Sequence, residues 1–505
     1  MVQASDAYQE LLRRSREIAL LGSCSAVLGW DQQTYMPAAG TSFRGEQLAL
    51  LAGLGHQKAT DPKIGELLAA VESSALVADP SSLEASNIRE LRHQYDRAVK
   101  VPQRLVEELA RVTTAGQQAW QEARASNEFR HFQPHLEQIL ALKREEADAI
   151  GYIEHRYDAL LDEYEPGATA SELRTLFADL TAQLVPLIQQ IHESGKQPRR
   201  EILHREYPID RQRWFAESAA AAIGFDFQAG RLDTTTHPFC SGFGPGDCRI
   251  TTRYNPRFFS EAFFGVLHEA GHGMYEQGLP AEQFGTPGGS YCSHGIHESQ
   301  SRLWENQVGR GEPFWEHFFP RLQQAFPSTL QDISRQEFYF AINEIRPSFI
   351  RVEADEATYN LHIALRFELE LDLLSGNLSV ADLPGAWNDR FTTLFGMTPH
   401  SDRDGCLQDI HWSFGGIGYF PTYTLGNLYA AQFMEAVQEE LPQLNDGFRR
   451  GLFSPLKSWL SEKIYRQGRR LRAAALCRSA TNRELSTAPF IRYLQGKAAS
   501  VYSVC

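Results

Sequence analysis

The residues best suited to chemistry are two histidines and a glutamate in the segment His268-Glu269-Ala270-Gly271-His272. Histidines four residues apart project from the same side of a helix, so both imidazoles can bind one metal ion. Glu269 is then placed to act on a water at that ion as a general base. A random chain with the same 16 histidines in 505 residues contains this pattern only about 0.03 times. The spacing therefore predicts a zinc-dependent hydrolytic site.

A catalytic zinc ion needs a third protein ligand and an open position for water. We expect Glu298 to be that ligand, because Ser293 can cap a helix that runs to about Val308. The 25 residues between His272 and Glu298 are enough for a glycine-rich turn and an antiparallel return. His297 is the alternative ligand in this segment. The predicted metal ligands are His268, His272 and Glu298.

Three glycines lie inside the helix that is predicted to run from about residue 260 to 278. They are Gly265, Gly271 and Gly273. Each glycine costs a helix about 1 kcal/mol relative to alanine. We therefore expect another part of the chain to approach this helix closely.

The elements that position these residues are mostly helical. Apolar residues recur every three to four positions from residue 5 to about 224, which is typical of consecutive amphipathic helices. Residues 225 to 255 are rich in threonine, aromatics and glycine, which predicts short strands and turns. Helical periodicity then continues to the end of the sequence. The pattern predicts a mainly α protein, a single domain over residues 1–505, with one small antiparallel sheet beside the metal helix.

Charge and cysteine content exclude several classes of protein. The sequence carries 49 Lys and Arg against 63 Asp and Glu, a net charge of −14, so nucleic acid is not an expected partner. The sequence lacks an uncharged stretch long enough to span a membrane. The seven cysteines are odd in number and have no C-x-x-C spacing, which favours a reducing, cytoplasmic location.

Six motifs between residues 237 and 412 resemble those of the Taq-type thermostable metallocarboxypeptidases, peptidase family M32. The motifs are His237-Pro238-Phe239, Asp247-x-Arg249-x-Thr251, His268 to His272, His297-Glu298-Ser299-Gln300, Ile350-Arg351-x-x-Ala354-Asp355 and Gly405-x-x-Gln408-Asp409-x-His411-Trp412. The segment from Trp30 to Pro37 is also similar to the family. The resemblance therefore extends over the whole chain.

The resemblance implies a multi-helix, zincin-like (gluzincin) subunit with a deep active-site cleft. It also implies a homodimer, one divalent metal ion per subunit (zinc, with cobalt as the alternative), and removal of single C-terminal residues from peptides with broad specificity, proline excepted. Two alternatives stay open. One is a zinc endo-oligopeptidase or dipeptidyl carboxypeptidase, and the other is a non-catalytic, metal-containing peptide-binding protein.

Peptide hydrolysis also requires a donor for the oxyanion that develops on the attacked carbonyl. Tyr423, in a glycine-rich stretch, is the first candidate donor, and His411 and His237 are the alternatives. Asp409 or Asp355 is expected to accept the second ring N–H of a metal-bound histidine.

A carboxypeptidase must also recognise the free carboxylate of its substrate, and a guanidinium offers paired donors for it. Arg351 and Arg249 are the candidates, although Arg351 could instead form a salt bridge with Asp355. Arg249 lies in a predicted strand, and an edge strand there could bind extended peptide. The candidate substrate-binding residues are Arg351, Arg249, Asp247, Thr251, Gln300 and Gln408.

Overall fold

The computed structural model describes residues 3–504, and 70% of the chain is helical. The chain forms two compact units, each assembled from three separate segments. The first unit comprises the residues up to Val99, Pro198–Ile342 and Tyr429–Leu485. The second comprises Lys100–Gln197, Asn343–Leu428 and the described residues from Ser486 onward. The predicted mainly α class is confirmed.

The first unit contains most of the helices. They are α1 (Ala4–Thr34), α2 (Thr41–Ala59), α3 (Pro62–Glu72), α4 (Leu83–Lys100), α9 (Ile209–Ile223), α10 (Phe259–Gly278), α11 (His294–Arg302), α12 (Glu312–Ala325), α13 (Pro327–Leu330), α14 (Arg335–Ile342), α18 (Leu444–Arg449), α19 (Ser454–Lys463) and α20 (Ala473–Thr481). A π-helical turn, Leu303–Val308, continues α11. Helix α9, the last before the sheet, ends at Ile223, next to the predicted end of the helical N-terminal part near residue 224.

Helix α10 forms the centre of the first unit. Its apolar side chains are buried around most of its circumference, and a helix of that kind is stable only in an interior. The ring centroids of Phe259 and Phe263 lie 5.1 Å apart, and Phe263 lies 5.3 Å from Trp315. Aromatic pairs at these distances add to the stabilisation that burial provides. This packing gives His268 and His272 a rigid support.

The small sheet packs against α10. Its strands are β1 (Gly230–Thr234), β2 (Cys240–Gly244) and β3 (Asp247–Thr252), in the order β1-β3-β2. A tight turn makes β2 antiparallel to β3, but β1 lies on the other side of β3 and runs parallel to it. The purely antiparallel sheet was therefore a wrong prediction. Because β3 is the central strand, the expectation that it is a free edge for peptide is also wrong.

The second unit is built around a buried helix. Its helices are α5 (Gln103–Ser126), α6 (Phe129–Ile150), α7 (Arg156–Leu161), α8 (Ala170–Glu193), α15 (Tyr359–Ser375), α16 (Leu383–Phe395) and α21 (Ala488–Tyr502), while α17 (Pro421–Glu440) begins in this unit and ends in the first. Arg366 and Glu370 of α15 are fully buried. Glu370 accepts hydrogen bonds from Trp412 Nε1 at 2.8 Å and from the Tyr157 hydroxyl at 2.8 Å. These bonds fix the loop that precedes α17.

The helices of the described region are too short or too polar to span a lipid bilayer.

Candidate metal centre

Two adjacent helices of the first unit bring His268, His272 and Glu298 together. The Nε2 atoms of His272 and His268 lie 3.3 Å and 3.7 Å from Glu298 Oε2, and one ligand atom from each residue lies within 4.8 Å of the others. Ligands about 2.0–2.1 Å from a tetrahedral ion are separated by about 3.3 Å. The donor atoms therefore fit one small divalent cation.

A close contact at Gly271 sets the spacing between α10 and α11. A Cβ atom at Gly271 would lie 2.5 Å from the Gln300 carbonyl oxygen and 2.7 Å from Ser301 Cα. Gly273 likewise admits the ring of Phe225, whose nearest atom would lie 2.6 Å from such a Cβ. The predicted close approach is confirmed at these two glycines. At Gly265 it is wrong, because the nearest atom would be 3.6 Å away.

Replacing Gly271 by Ala is expected to push α11 away from α10. Overpacking of this kind costs about 1–3 kcal/mol of the free energy of unfolding, and it should also weaken metal binding by moving Glu298. Gly265→Ala is the matched control, because the same helix has room there and alanine stabilises a helix by up to about 1 kcal/mol. Denaturant unfolding and zinc titration measure both effects. Equal stability and affinity in the two variants would contradict the close-contact explanation.

Ser293 and the π-helical turn orient the third ligand. The Ser293 hydroxyl accepts the backbone N–H of Ile296 at 3.1 Å, so Ser293 caps α11 as expected. Beyond Arg302 the π-helical geometry changes which side chains share a face. Arg302 lies 2.7 Å from Glu298 and 3.3 Å from Glu305, and Glu305 in turn contacts His268.

Charge and burial favour the metal-binding protonation states of Glu298 and His272. At His268 burial is outweighed by the charges of Glu298 and Glu305, which raise its pKa, so this imidazole must lose its proton when an ion binds. Burial by itself raises the pKa of Glu298, but the nearby charges of Arg302 and the two histidines outweigh burial and hold that pKa well below its usual value. Arg302 Nε donates to Glu298 Oε1 at 2.7 Å. Burial lowers the pKa of His272 to about 3. An ionised carboxylate and a neutral imidazole are the forms that bind metal.

Glu305, which the sequence analysis missed, contacts the outer nitrogen of His268. His268 Nδ1 lies 2.9 Å from Glu305 Oε2, the arrangement in which a carboxylate fixes the tautomer of a metal-binding histidine. The sequence contains no clear signal for this contact, because Glu305 lies in the π-helical turn, where α-helical spacing from Glu298 does not apply. The expectation that Asp409 or Asp355 has this role is wrong for His268.

Glu269 lies beside the triad with an unsatisfied carboxylate oxygen. Glu269 is only 6% exposed, and its Oε2 has no hydrogen-bond partner among the described residues. Burial, reinforced by Glu298 and Glu305, raises the pKa of Glu269 to about 7 against the opposing effect of His268. A carboxylate with a pKa near neutrality is suited to accept a proton and to return it.

The sheet holds three of the predicted substrate-binding residues in internal contacts. Arg249 Nε and Nη2 both donate to Asp247 at 2.9 Å, and its guanidinium lies 4.4 Å from the Trp30 ring centroid. Thr251 is buried, and its hydroxyl bonds both to the carbonyl oxygen and to the N–H of Phe239. The Thr251 hydroxyl is therefore used within the protein, and a substrate contact by Thr251 stays a prediction. Asp247 acts to hold Arg249 in place.

His237 lies exposed in the connection between β1 and β2. Gln300 is fully buried in α11, where its Nε2 donates to Ser299 Oγ at 2.9 Å. Its Oε1 has no hydrogen-bond partner among the described residues, and a substrate contact by Gln300 stays a prediction. Its backbone carbonyl packs against Gly271.

The second unit brings Arg351 and Asp409 together. Arg351 Nε and Nη2 donate to Asp409 Oδ1 at 3.0 Å and 2.7 Å, while Nη1 donates to the Tyr359 hydroxyl at 2.7 Å. Asp409 Oδ2 accepts from Arg366 Nε at 2.7 Å. The alternative salt bridge from Arg351 to Asp355 is therefore wrong. The bonds to Asp409 and Tyr359 use three of the five N–H donors of Arg351, so its remaining donors could bind a substrate carboxylate.

Gln408 is a structural part of the same cluster. Its Oε1 accepts the backbone N–H of Arg351 at 2.9 Å, and its Nε2 donates to the carbonyl oxygens of Phe349 and Asp404 at 3.0 Å and 2.9 Å. Both ends of the amide thus bond within the protein, and a substrate contact by Gln408 stays a prediction. The residue joins two loops.

Asp355 is also used locally, because its Oδ1 accepts the backbone N–H groups of Ala357 and Thr358 at 2.9 Å and 3.0 Å. His411 and Tyr423 form a hydrogen-bonded pair, with His411 Nε2 3.1 Å from the Tyr423 hydroxyl. Burial, together with Arg351 and Arg366, lowers the pKa of His411 to about 3 despite the nearby Asp409. The lowered pKa favours the neutral form of the His411 imidazole at its contact with Tyr423.

Known proteins resemble this chain over its full length. The sequence profile of the family described as Carboxypeptidase Taq (M32) metallopeptidase matches residues 10–498. Thermostable carboxypeptidase 1 of Thermus thermophilus is 49% identical over 98% of this chain and 99% of its own. Carboxypeptidase 1 of Bacillus subtilis is 38% identical over 98% and 97%.

Solved structures agree with these relatives. The M32 carboxypeptidase of Deinococcus radiodurans superposes with a TM-score of 0.95 at 40% identity, covering 99% of this chain and 100% of its own. The Pyrococcus furiosus carboxypeptidase superposes with a TM-score of 0.94 at 35% identity, covering 97% and 99%. The agreement of profile, sequence and structure over the whole length, together with the triad of His268, His272 and Glu298, shows that this chain belongs to the M32 (carboxypeptidase Taq) family of metallopeptidases.

Proposed function

We propose that this chain is a metal-dependent carboxypeptidase that releases single residues from the C-terminus of peptides, with broad specificity but not proline. The observation that carries the proposal is the convergence of His268, His272 and Glu298 next to the unsatisfied carboxylate of Glu269. Named relatives at 35–49% identity over nearly the whole chain are carboxypeptidases, which supports the same activity here.

Side chains of the first unit have three roles: binding the ion, orienting its ligands and transferring a proton. His268, His272 and Glu298 hold the ion, and Glu305 and Arg302 keep His268 and Glu298 in binding orientation and charge. A divalent ion at such a site supplies Lewis-acid chemistry, because it lowers the pKa of a water ligand to about 7 and polarises a carbonyl. Glu269 accepts the proton of the attacking water and transfers it to the leaving amine.

The oxyanion donor is proposed to be Tyr423, with His411 and His237 as alternatives. The contact between His411 Nε2 and the Tyr423 hydroxyl supports this order, because an imidazole that donates from Nε2–H to the phenol oxygen allows the phenol O–H to donate to the oxyanion. Arg249 and Arg351 remain the proposed partners of the substrate carboxylate. Of these two, Arg249 keeps the more exposed side chain, at 20% against 7%.

Zinc is the proposed ion, and cobalt is the alternative. Two imidazoles and one carboxylate are a donor set that catalytic zinc sites use, and imidazole also binds other divalent transition metals well. The identity of the ion depends on its supply as well as on its affinity.

A pair of peptides tests the activity. A free-acid peptide should lose residues one at a time from its C-terminus, while the same peptide with an amidated C-terminus stays intact, because only the first offers a terminal carboxylate. Mass spectra collected over time measure both. Internal cleavage of the amidated peptide would support the endo-oligopeptidase. Release of dipeptides would support the dipeptidyl carboxypeptidase, and binding without cleavage would support the non-catalytic peptide-binding protein.

The chain is also proposed to act as a cytoplasmic homodimer and as one catalytic domain. Continuous family similarity over residues 10–498 supports one domain. An apolar stripe on α1 and α2 supports self-association, since α2 buries none of its residues. The exposed members of the stripe are Leu20, Val27, Phe43, Leu50 and Leu54. Exposed apolar patches commonly mark interfaces, and two-fold dimers are the commonest assemblies.

A further inference from the structure

A second histidine and a second glutamate continue outward from the metal site at His272. His272 Nδ1 lies 2.6 Å from His297 Nδ1, and His297 Nε2 lies 2.8 Å from Glu276 Oε1. The planes of the two imidazoles are inclined by only 29°, and their centroids are 4.6 Å apart. At that separation a 2.6 Å contact between ring nitrogens requires the rings to meet edge to edge. The geometry is that of a hydrogen bond between them.

The order of donors along this chain of contacts follows from the carboxylate at its end. An ionised carboxylate only accepts hydrogen bonds, so His297 Nε2 must carry a hydrogen atom and donate a hydrogen bond to Glu276. In a neutral imidazole the other nitrogen is then an acceptor, which makes His297 Nδ1 the acceptor for His272 Nδ1–H. His272 Nε2 is left with its lone pair directed toward Glu298. That tautomer is the one that can bind a metal.

The surroundings hold His297 in this orientation. The ring of Tyr291 lies 4.8 Å from the His297 ring at 74°, and the ring of Tyr275 lies 5.3 Å away at 41°. Gly242 of β2 leaves room for the carboxylate, because a Cβ there would lie 2.5 Å from Glu276 Oε2. Both ring nitrogens of His297 are therefore engaged away from the ion, and the earlier alternative that His297 is itself a metal ligand is not supported.

We propose that His297 and Glu276 are positioning residues that select the metal-binding tautomer of His272, as Glu305 does directly for His268. The inference rests on the proposed metal site. Each metal-binding histidine is then linked to an outer carboxylate. His268 is linked directly to Glu305 by one hydrogen bond, and His272 is linked to Glu276 by two hydrogen bonds through His297. Removing an outer partner of a metal-binding histidine typically weakens metal affinity 10–100-fold.

Two substitutions of His297 separate a tautomer-selecting role from a packing role. His297→Phe keeps an aromatic ring between Tyr275 and Tyr291 but removes the acceptor, whereas His297→Asn loses the ring and keeps an acceptor near the position of Nδ1. We expect the zinc dissociation constant to rise 10–100-fold in His297→Phe and to stay within about threefold of the unsubstituted protein in His297→Asn. A packing role predicts the reverse order.

Zinc competition with a chromophoric chelator measures these affinities on the full-length protein, and thermal unfolding of the metal-free variants checks that each is folded. Glu276→Leu, compared with the exposed control Glu282→Leu, gives a second test if His297→Phe does not fold. Glu276→Leu should lose affinity while the control should not. Unchanged affinity in His297→Phe or Glu276→Leu would overturn the inference, as would equal losses in the two His297 variants. Failure of the unsubstituted protein to bind zinc would instead overturn the metal site itself.

Discussion

Glu269→Gln is expected to lower kcat by about 10²–10⁴-fold, because a general base contributes a factor of that size. The amide is nearly isosteric with the carboxylate but cannot accept the proton of the attacking water. Glu269 is not one of the three residues whose donor atoms converge, so one metal ion per chain should remain bound. Steady-state hydrolysis of a free-acid peptide and metal analysis of the same sample measure the two results.

The pH profile supplies an independent check on Glu269. A general base must be ionised, so kcat/KM should fall as the pH drops below its pKa, which burial raises to about 7. A bound cation favours the carboxylate, so in the loaded protein the acidic limb should lie at or below pH 7. Glu282→Gln, an exposed control, should keep both the hydrolysis rate and the acidic limb of the pH profile of the unsubstituted protein. A Glu269→Gln variant with undiminished turnover would reject the assigned base.

Glu298→Ala is expected to raise the zinc dissociation constant by more than 100-fold, because loss of a direct ligand should exceed the 10–100-fold effect of losing an outer partner. It should also reduce the stability of the metal-free protein. Arg302, whose side chain is 14% exposed, would lose its 2.7 Å partner and keep its contact with Glu305 at 3.3 Å. Removing one member of a buried ion pair costs about 3–5 kcal/mol, and the remaining contact with Glu305 should reduce that cost.

The loss of stability should depend on pH. Because the folded protein depresses the pKa of Glu298, its contribution is present above the ordinary glutamate pKa and is lost as the pH falls toward the depressed value. The difference in unfolding free energy between Glu298→Ala and the unsubstituted protein should therefore be largest near pH 7 and should decrease as the pH is lowered. Chelator-treated samples unfolded in denaturant measure it, with Glu282→Ala as the control. Zinc binding and stability that match the control would exclude Glu298 as a ligand.

Local sequence was sufficient wherever the interaction lies within one or two helical turns. Two histidines one turn apart must share a face of α10, and Ser293 can cap only the helix that follows it. The expectation of a close approach at Gly271 followed from the cost of glycine in a helix. Six motifs spread over residues 237–412 then indicated the family, because their order along the chain is far more specific than any one of them.

Predictions that required knowledge of partners far apart in sequence were less successful. The sequence shows that Arg351 is close along the chain to Asp355, but its actual partner is Asp409, 58 residues away. Gln300 and Gln408 lie in motifs, and their side chains form hydrogen bonds with other residues of the protein. Motif membership does not distinguish a residue that touches substrate from one that supports its neighbours.

The sequence by itself determined the chemistry of the candidate centre: the two imidazoles, the carboxylate that returns to them, the base beside them and the helices that carry all four. Only the tertiary structure decided which outer groups orient those ligands, namely Glu305 for His268 and the pair His297 and Glu276 for His272. It also decided that β3 is central. The physical reason is that helical periodicity is a local property, whereas the choice of hydrogen-bond and strand partners depends on which separate segments pack side by side.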